Sequence, residues 1–153
     1  MPSGTPSPVE QREFPARFAS LTDVAAFIDD FGSRHGLDPG LALKLTLVLE
    51  ELVTNTIEHG FGGDSDAPIR IALTSTYPAS VSIAYEDSAP AFDPLARDAR
   101  QPAAVGDAFD TRPIGGLGIH LVSKLASAAR YAREGDRNRL WLTFEGSDDS
   151  SQA

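Results

Sequence analysis

The sequence predicts an α/β two-layer sandwich, a mixed, mainly antiparallel sheet with helices on one face. Three observations carry that expectation. Two early segments repeat apolar residues at helical spacing, and two later pairs of segments alternate as strands do. Between those pairs lies a glycine-rich turn that opens a further apolar helical run. Helices and strands mixed in this way pack as a sheet covered by helices. At 153 residues the chain suits one domain with a single core.

The elements follow in order. Residues 1–11, rich in Pro and Ser, read as a disordered leader. Residues 12–18 form a first strand anchored by Phe14 and Phe18, and Pro15 places it at a sheet edge. Residues 21–34 carry Leu21, Val24, Ala25, Phe27, Ile28 and Phe31 at helical rhythm, with Gly36 as the stop. Phe27 and Phe31 are expected in the core. Asp38 caps a second helix, Pro39 sits in its first turn, and the helix runs to His59 with Gly60 ending it.

Residues 69–76 and 81–86 alternate as two strands around a turn at Pro78. Residues 88–113 hold four prolines and read as a long loop, a length that usually serves function. A third helix spans 119–127. Residues 130–134 and 139–145 form a hairpin turning at Gly135 and Asp136. The domain is therefore expected at 12–145, with 146–153 as a disordered acidic tail.

Composition narrows the functional classes. A formal net charge of -9 argues against nucleic acid, whose phosphates require a basic surface. A basic or hydrophobic protein partner suits that field better. No apolar run approaches the ~20 residues of a membrane helix, and neither a signal peptide nor a cysteine is present. The expected location is the cytoplasm.

On a helical wheel of ~100° per residue, Leu45, Val48, Leu49, Leu52, Val53 and Thr56 form the apolar arc of the second helix. Glu50, Thr54 and Glu58 fall on a solvated face. Glu51, Asn55 and His59 stack at i, i+4, i+8 along the margin of the arc. Two readings stand for them. They are ordinary boundary residues, His59 favouring a helix C-terminus, or they form a metal–nucleotide site. In the second, Asn55 offers a hard neutral oxygen to Mg²⁺, and Glu51 accepts a proton or orients a water near a terminal phosphate.

Asp87 ends the strand 81–86. It either closes a local turn through its own side chain or accepts the exocyclic amine of adenine. Gly115, Gly116, Leu117 and Gly118 precede an apolar helical run, where backbone amides can approach an anion. A dinucleotide fold needs a strand before its glycines, and a P-loop needs Gly-Lys-Ser/Thr; neither is present. A flexible hinge is the plainer alternative. Arg112 and Lys124 read as surface charge.

Three segments together resemble the GHKL ATPase superfamily, and within it the anti-sigma-factor serine kinases, the RsbW-like ATPases. ELVTNTIEHGF (51–61) is similar to that family's N box, EDSAPAFDP (86–94) to its first glycine box, and IGGLGIHLV (114–122) to its second. ARYAREGDRNRLWLTF (129–144) is similar to the closing hairpin. The resemblance covers about residues 12–145.

It implies a Bergerat-type sandwich binding ATP with Mg²⁺. Asn55 is then the metal ligand, Glu51 the catalytic base, and Asp87 the adenine contact. His59, Gly115, Gly116, Leu117 and Gly118 complete the nucleotide site, and 95–113 form the ATP lid. The implied activity is a serine/threonine protein kinase that phosphorylates a serine of an anti-sigma-factor antagonist. The same family sequesters a sigma factor, often as a homodimer. One departure bears on affinity: the family's glycine two residues after the Asp is Ala89 here. Sensor histidine kinases and gyrase-like members need further domains, so a small regulator is expected. The alternative is a non-catalytic ATP-binding module holding a protein partner.

Overall fold

A computed structural model describes residues 9–76, 80–95, 122 and 124–146. The order is β1 (Val9–Pro15), α1 (Ser20–His35), α2 (Pro39–Asn55), a π-helical turn (Thr56–Phe61), β2 (Pro68–Thr76), β3 (Ser80–Asp87), β4 (Ala128–Glu134) and β5 (Arg137–Glu145). The five strands form one sheet in the order β1-β2-β3-β5-β4. Every described pairing is antiparallel. Both helices pack on one face, so the α/β sandwich expected from the sequence is the observed fold.

Alternation decides which face is buried. Val81, Ile83 and Tyr85 of β3, and Leu140, Leu142 and Phe144 of β5, face the helices with Ile69, Ile71 and Leu73 of β2. Phe27, Ile28 and Phe31 of α1 and Leu45, Val48, Leu49, Leu52 and Val53 of α2 fill the other side. The wheel-predicted arc of α2 is thus the buried one, Thr56 included. Asp38 caps α2 through a hydrogen bond from Leu41 N at 3.2 Å, with proline in the first turn.

The outer face of the sheet is polar. Glu86 meets Arg70 at 3.4 Å, Arg139 at 3.2 Å, and Arg137. Beside them the guanidinium groups of Arg130 and Arg139 each lie over the Trp141 ring, 3.9 and 4.8 Å from its centre.

Four boundaries differ from the sequence reading. β1 begins at Val9, so residues 9–11 belong to the sheet rather than the leader, Val9 pairing with Thr74. Glu10 is drawn in by Arg34 and His35 of α1. β1 lies at the edge, as Pro15 suggests, but stops there, and Phe18 is 42% exposed in the turn that starts α1. The hairpin strands are longer than expected, and Gly135, with φ 62, takes the first central position of their two-residue turn.

The fourth difference is at the end of α2. The α-helix stops at Asn55, and residues 56–61 widen into a π turn closed by Gly62 at φ 74. Gly63 N donates to Ile57 O at 2.8 Å. The wider turn keeps Thr56 and Ile57 buried while laying Gly60 against Ala89. Such turns recur at functional sites. The loop 96–113, the turn at Pro78, the glycines 115–118 and residues 119–121 and 123 of the expected third helix lie outside the described residues, whereas Val122, Lys124 and Leu125 are helical, as expected.

Candidate functional site

A cleft opens where the C-terminal end of α2 faces the ends of β3 and β5. It is lined by Leu52, Asn55, Thr56 and Gly60 from the helix side and by Tyr85 and Asp87 from β3. Ala89, Phe92 and Pro94 come from the segment after β3, and Tyr131, Asn138 and Leu140 from the closing hairpin. The cleft encloses about 450 Å³, including space open to solvent.

Asp87 sits at its base, 7% exposed, because the inward phase of Val81, Ile83 and Tyr85 continues one residue beyond the apolar run. Of the two sequence readings of Asp87, the local turn is observed. Its Oδ1 accepts from Ala89 N at 3.1 Å, which is the local turn, and from Asn138 Nδ2 at 2.9 Å. Its Oδ2 accepts from Thr56 Oγ1 at 2.8 Å. A carboxylate oxygen can accept about two hydrogen bonds. Among the described residues Oδ1 is therefore filled, and Oδ2 keeps one acceptor position.

Thr56 Oγ1 lies 2.7 Å from Tyr85 Oη, which in turn is 3.1 Å from Leu52 O. Burial, helped by the Asp87 charge, holds the Tyr85 phenol well above its usual range, so it stays a proton donor. The hydroxyl of Thr56 donates to the Asp87 carboxylate, with the Tyr85 hydroxyl behind it.

Asn55 is buried, 5% exposed, and lines the cleft. Glu51 stands one turn earlier on α2, half-buried, outside the lining of the cleft. Its Oε1 is buried with no hydrogen-bond partner among the described residues. Burial raises its carboxyl above the ordinary range, and the charges of Glu50 and Glu58 add to the effect. A buried, unmatched oxygen is costly unless a ligand or solvent uses it.

His59 is exposed and lies outside the cleft lining. The stack of Glu51, Asn55 and His59 expected from α-helical spacing ends at Asn55, because the π turn changes the angular step after it. Lys124 is exposed, as expected. Gly115, Gly116, Leu117, Gly118 and Arg112 lie outside the described residues.

Thr56, Tyr85 and Asn138 were not singled out from the sequence as site residues. One signal was available for Asn138. It stands two residues before Leu140 in the phase that buries Leu140, Leu142 and Phe144, a polar residue in an apolar rhythm.

Residues 14–144 match the histidine kinase-like ATPase domain family. The chain belongs to that family. Among solved structures it is similar to a chain of the SiaB–SiaC complex from Pseudomonas aeruginosa, with a TM-score of 0.60 and 14% identity, over 88% of this chain and 87% of that one. At that identity the likeness is one of fold. It is also similar to the histidine kinase domain of the blue-light activated histidine kinase from Erythrobacter litoralis EL346, at TM-score 0.48, 15% identity, and 86% and 61% coverage. The Acinetobacter baumannii histidine kinase AdeS follows at TM-score 0.42, 15% identity, and 89% and 67% coverage. Those two scores are too low to bear on function. No curated protein matches the chain.

The residues present suit the nucleotide and metal that an ATPase family implies. Asp87 keeps one acceptor position for an amino group, and Asn55 supplies a neutral amide oxygen of the kind Mg²⁺ takes beside phosphate and water. Among the described residues no group of three His, Asp or Glu side chains forms a cage of its own. That donor set suits a metal carried in with phosphates rather than one held by protein alone. Among the described residues no helix is long and apolar enough to cross a membrane.

Proposed function

We propose that this chain binds ATP with Mg²⁺ in the cleft and transfers the terminal phosphate to a serine of a protein partner. Asp87 accepts the amine of adenine, and Asn55 offers its oxygen to the metal. Gly115, Gly116 and Gly118 hold phosphate through their backbone amides, as the second glycine box implies. Mg²⁺ supplies charge neutralisation on the phosphate oxygens. Glu51 accepts the proton of the attacking serine hydroxyl while the bond from the terminal phosphorus to the bridging oxygen breaks and ADP leaves with its electrons.

One observation carries this reading. Asn55 and Asp87, distant in sequence, line one cleft, and one helical turn from Asn55 lies Glu51 Oε1, which has no hydrogen-bond partner among the described residues. A carboxyl raised by burial makes a stronger base than an ordinary glutamate. The partner is proposed, by the resemblance of the boxes, to be an anti-sigma-factor antagonist, with a sigma factor as the second target. The SiaB–SiaC complex, an assembly of two proteins, supports a domain of this fold meeting a protein partner.

Calorimetry with ATP and Mg²⁺, followed by transfer of labelled phosphate to candidate antagonists, tests the reading. Nucleotide uptake that Asp87→Asn abolishes, with label appearing on serine, is the expected result. Uptake with stoichiometric partner binding and no transfer would select the non-catalytic module, and absence of uptake would refute both.

A further inference from the structure

Asn138 is 7% exposed at the start of β5. Burying an amide is costly unless both of its ends are matched. Here both are. Its Nδ2 donates toward Asp87 Oδ1 at 2.9 Å, Pro90 O at 3.0 Å and Ala89 O at 3.1 Å, all acceptors. Its Oδ1 accepts from Tyr131 Oη at 2.5 Å, Phe92 N at 3.1 Å and Arg133 Nη1 at 3.2 Å, all donors. The amide has one orientation, because turning it over sets donor against donor and acceptor against acceptor. The hairpin is thereby pegged to the turn after β3.

We infer that Asn138 is a positioning and specificity residue: by filling Oδ1 of Asp87 and fixing the turn behind it, it leaves Asp87 a single oriented acceptor position that selects a 6-amino purine over a 6-oxo one. This rests on the proposal that ATP occupies the cleft. The chemistry is direct. An amino group at C6 donates to the open position on Asp87 Oδ2, whereas an oxo group presents an acceptor to a carboxylate. Without the Asn138 amide, Oδ1 regains an open position and the turn loses its contact at Pro90 O. Ala89 O keeps the Arg133 guanidinium at 2.8 Å. The carboxylate then turns or hydrates, and its preference weakens.

The experiment measures dissociation constants for ATP and for inosine triphosphate, which carries an oxo group in place of the amine. Wild type, Asn138→Ala and the isosteric Asn138→Asp are compared, with thermal melting recorded for each. Wild type favours ATP. In Asn138→Ala, ATP affinity falls about tenfold, the scale of a buried hydrogen bond to a charged group, while inosine triphosphate binding changes little. Asn138→Asp, which sets a second carboxylate beside Asp87, loses more.

Equal loss for both nucleotides would reduce Asn138 to a structural role and overturn the inference, as would a wild type that binds both equally well. If the Asn138 variants do not fold, Tyr131→Phe, which removes one donor to the Asn138 oxygen, shifts the ratio in the same direction; an unchanged ratio there overturns the inference too. A wild type that binds neither nucleotide overturns the ATP reading and this inference together. Loss of the inference alone leaves wild-type uptake intact.

Discussion

Gly60 and Ala89 stand so close that a Cβ on residue 60 would lie 2.7 Å from the Cβ of Ala89. This bears on the departure from the family's first glycine box. No non-glycine residue among those described has a positive φ, so Ala89 sits there without backbone strain. Its methyl group, 2% exposed, fills space that only a glycine at 60 leaves open.

Gly60→Ala therefore tests the contact. At a position free of positive φ, alanine for glycine ordinarily stabilises by about 0.4–1 kcal/mol. Here overpacking reverses the sign, and a loss of about 1–3 kcal/mol is expected in urea unfolding. Adding Ala89→Gly restores most of that loss. A double variant no more stable than Gly60→Ala alone would show that the two methyl groups do not compete.

Glu51→Gln should abolish phosphate transfer while ATP uptake persists. The raised carboxyl also sets the pH dependence. The base is the ionised form, so wild-type transfer rises with pH through a midpoint above that of an ordinary glutamate. A rate profile flat across that range, or equal rates for mutant and wild type, would remove Glu51 from the chemistry.

Thr56→Val keeps the shape of the side chain but removes the hydroxyl between Tyr85 and Asp87. One bond to the Asp87 carboxylate goes, at about 1–3 kcal/mol of stability. Nucleotide affinity should fall as well, since Asp87 loses a support on the oxygen that keeps its open position. Unfolding curves and calorimetry on the same samples check both effects. Unchanged affinity would show that Oδ1 alone orients the carboxylate.

Glu10 ties β1 to α1. The Arg34 guanidinium, with His35, holds its carboxyl down to about 2, from an ordinary value of 4.5. A depressed acid contributes stability that is fully present above the unfolded value and lost as pH falls through the folded one. The loss runs from about pH 4.5 to about 2. Glu10→Gln should be less stable than wild type at neutral pH and converge with it at the acid end, as acid unfolding monitored by circular dichroism would reveal. Parallel curves would refute the clamp.

Much of the architecture was legible because alternation in β3 and β5 and the apolar arc of α2 each bury one face. Asp87 was legible as an acid closing a strand, and the inward phase of β3 is what brings it to the cleft. The π turn was not. ELVTNTIEHGF reads equally well as continuous α-helix, and the contact that favours the wider turn, Gly60 against Ala89, comes from another part of the chain. His59 lies outside the cleft lining for the same reason. Phe18 misled because an aromatic suggests a strand, whereas here it occupies the turn into α1. Asn138 and the hydroxyl of Thr56 become distinctive only through partners brought together by folding.

The last two residues of β3 are both acids, and they serve opposite sides of the sheet: Glu86 meets three arginines outside, while Asp87 enters the cleft. A hairpin mispaired by one residue would turn Glu86 inward and strand those arginines without their shared anion. It would also push Val81, Ile83 and Tyr85 into water. The outer ion cluster thus acts as proofreading for the inner acid, penalising the wrong alignment during assembly.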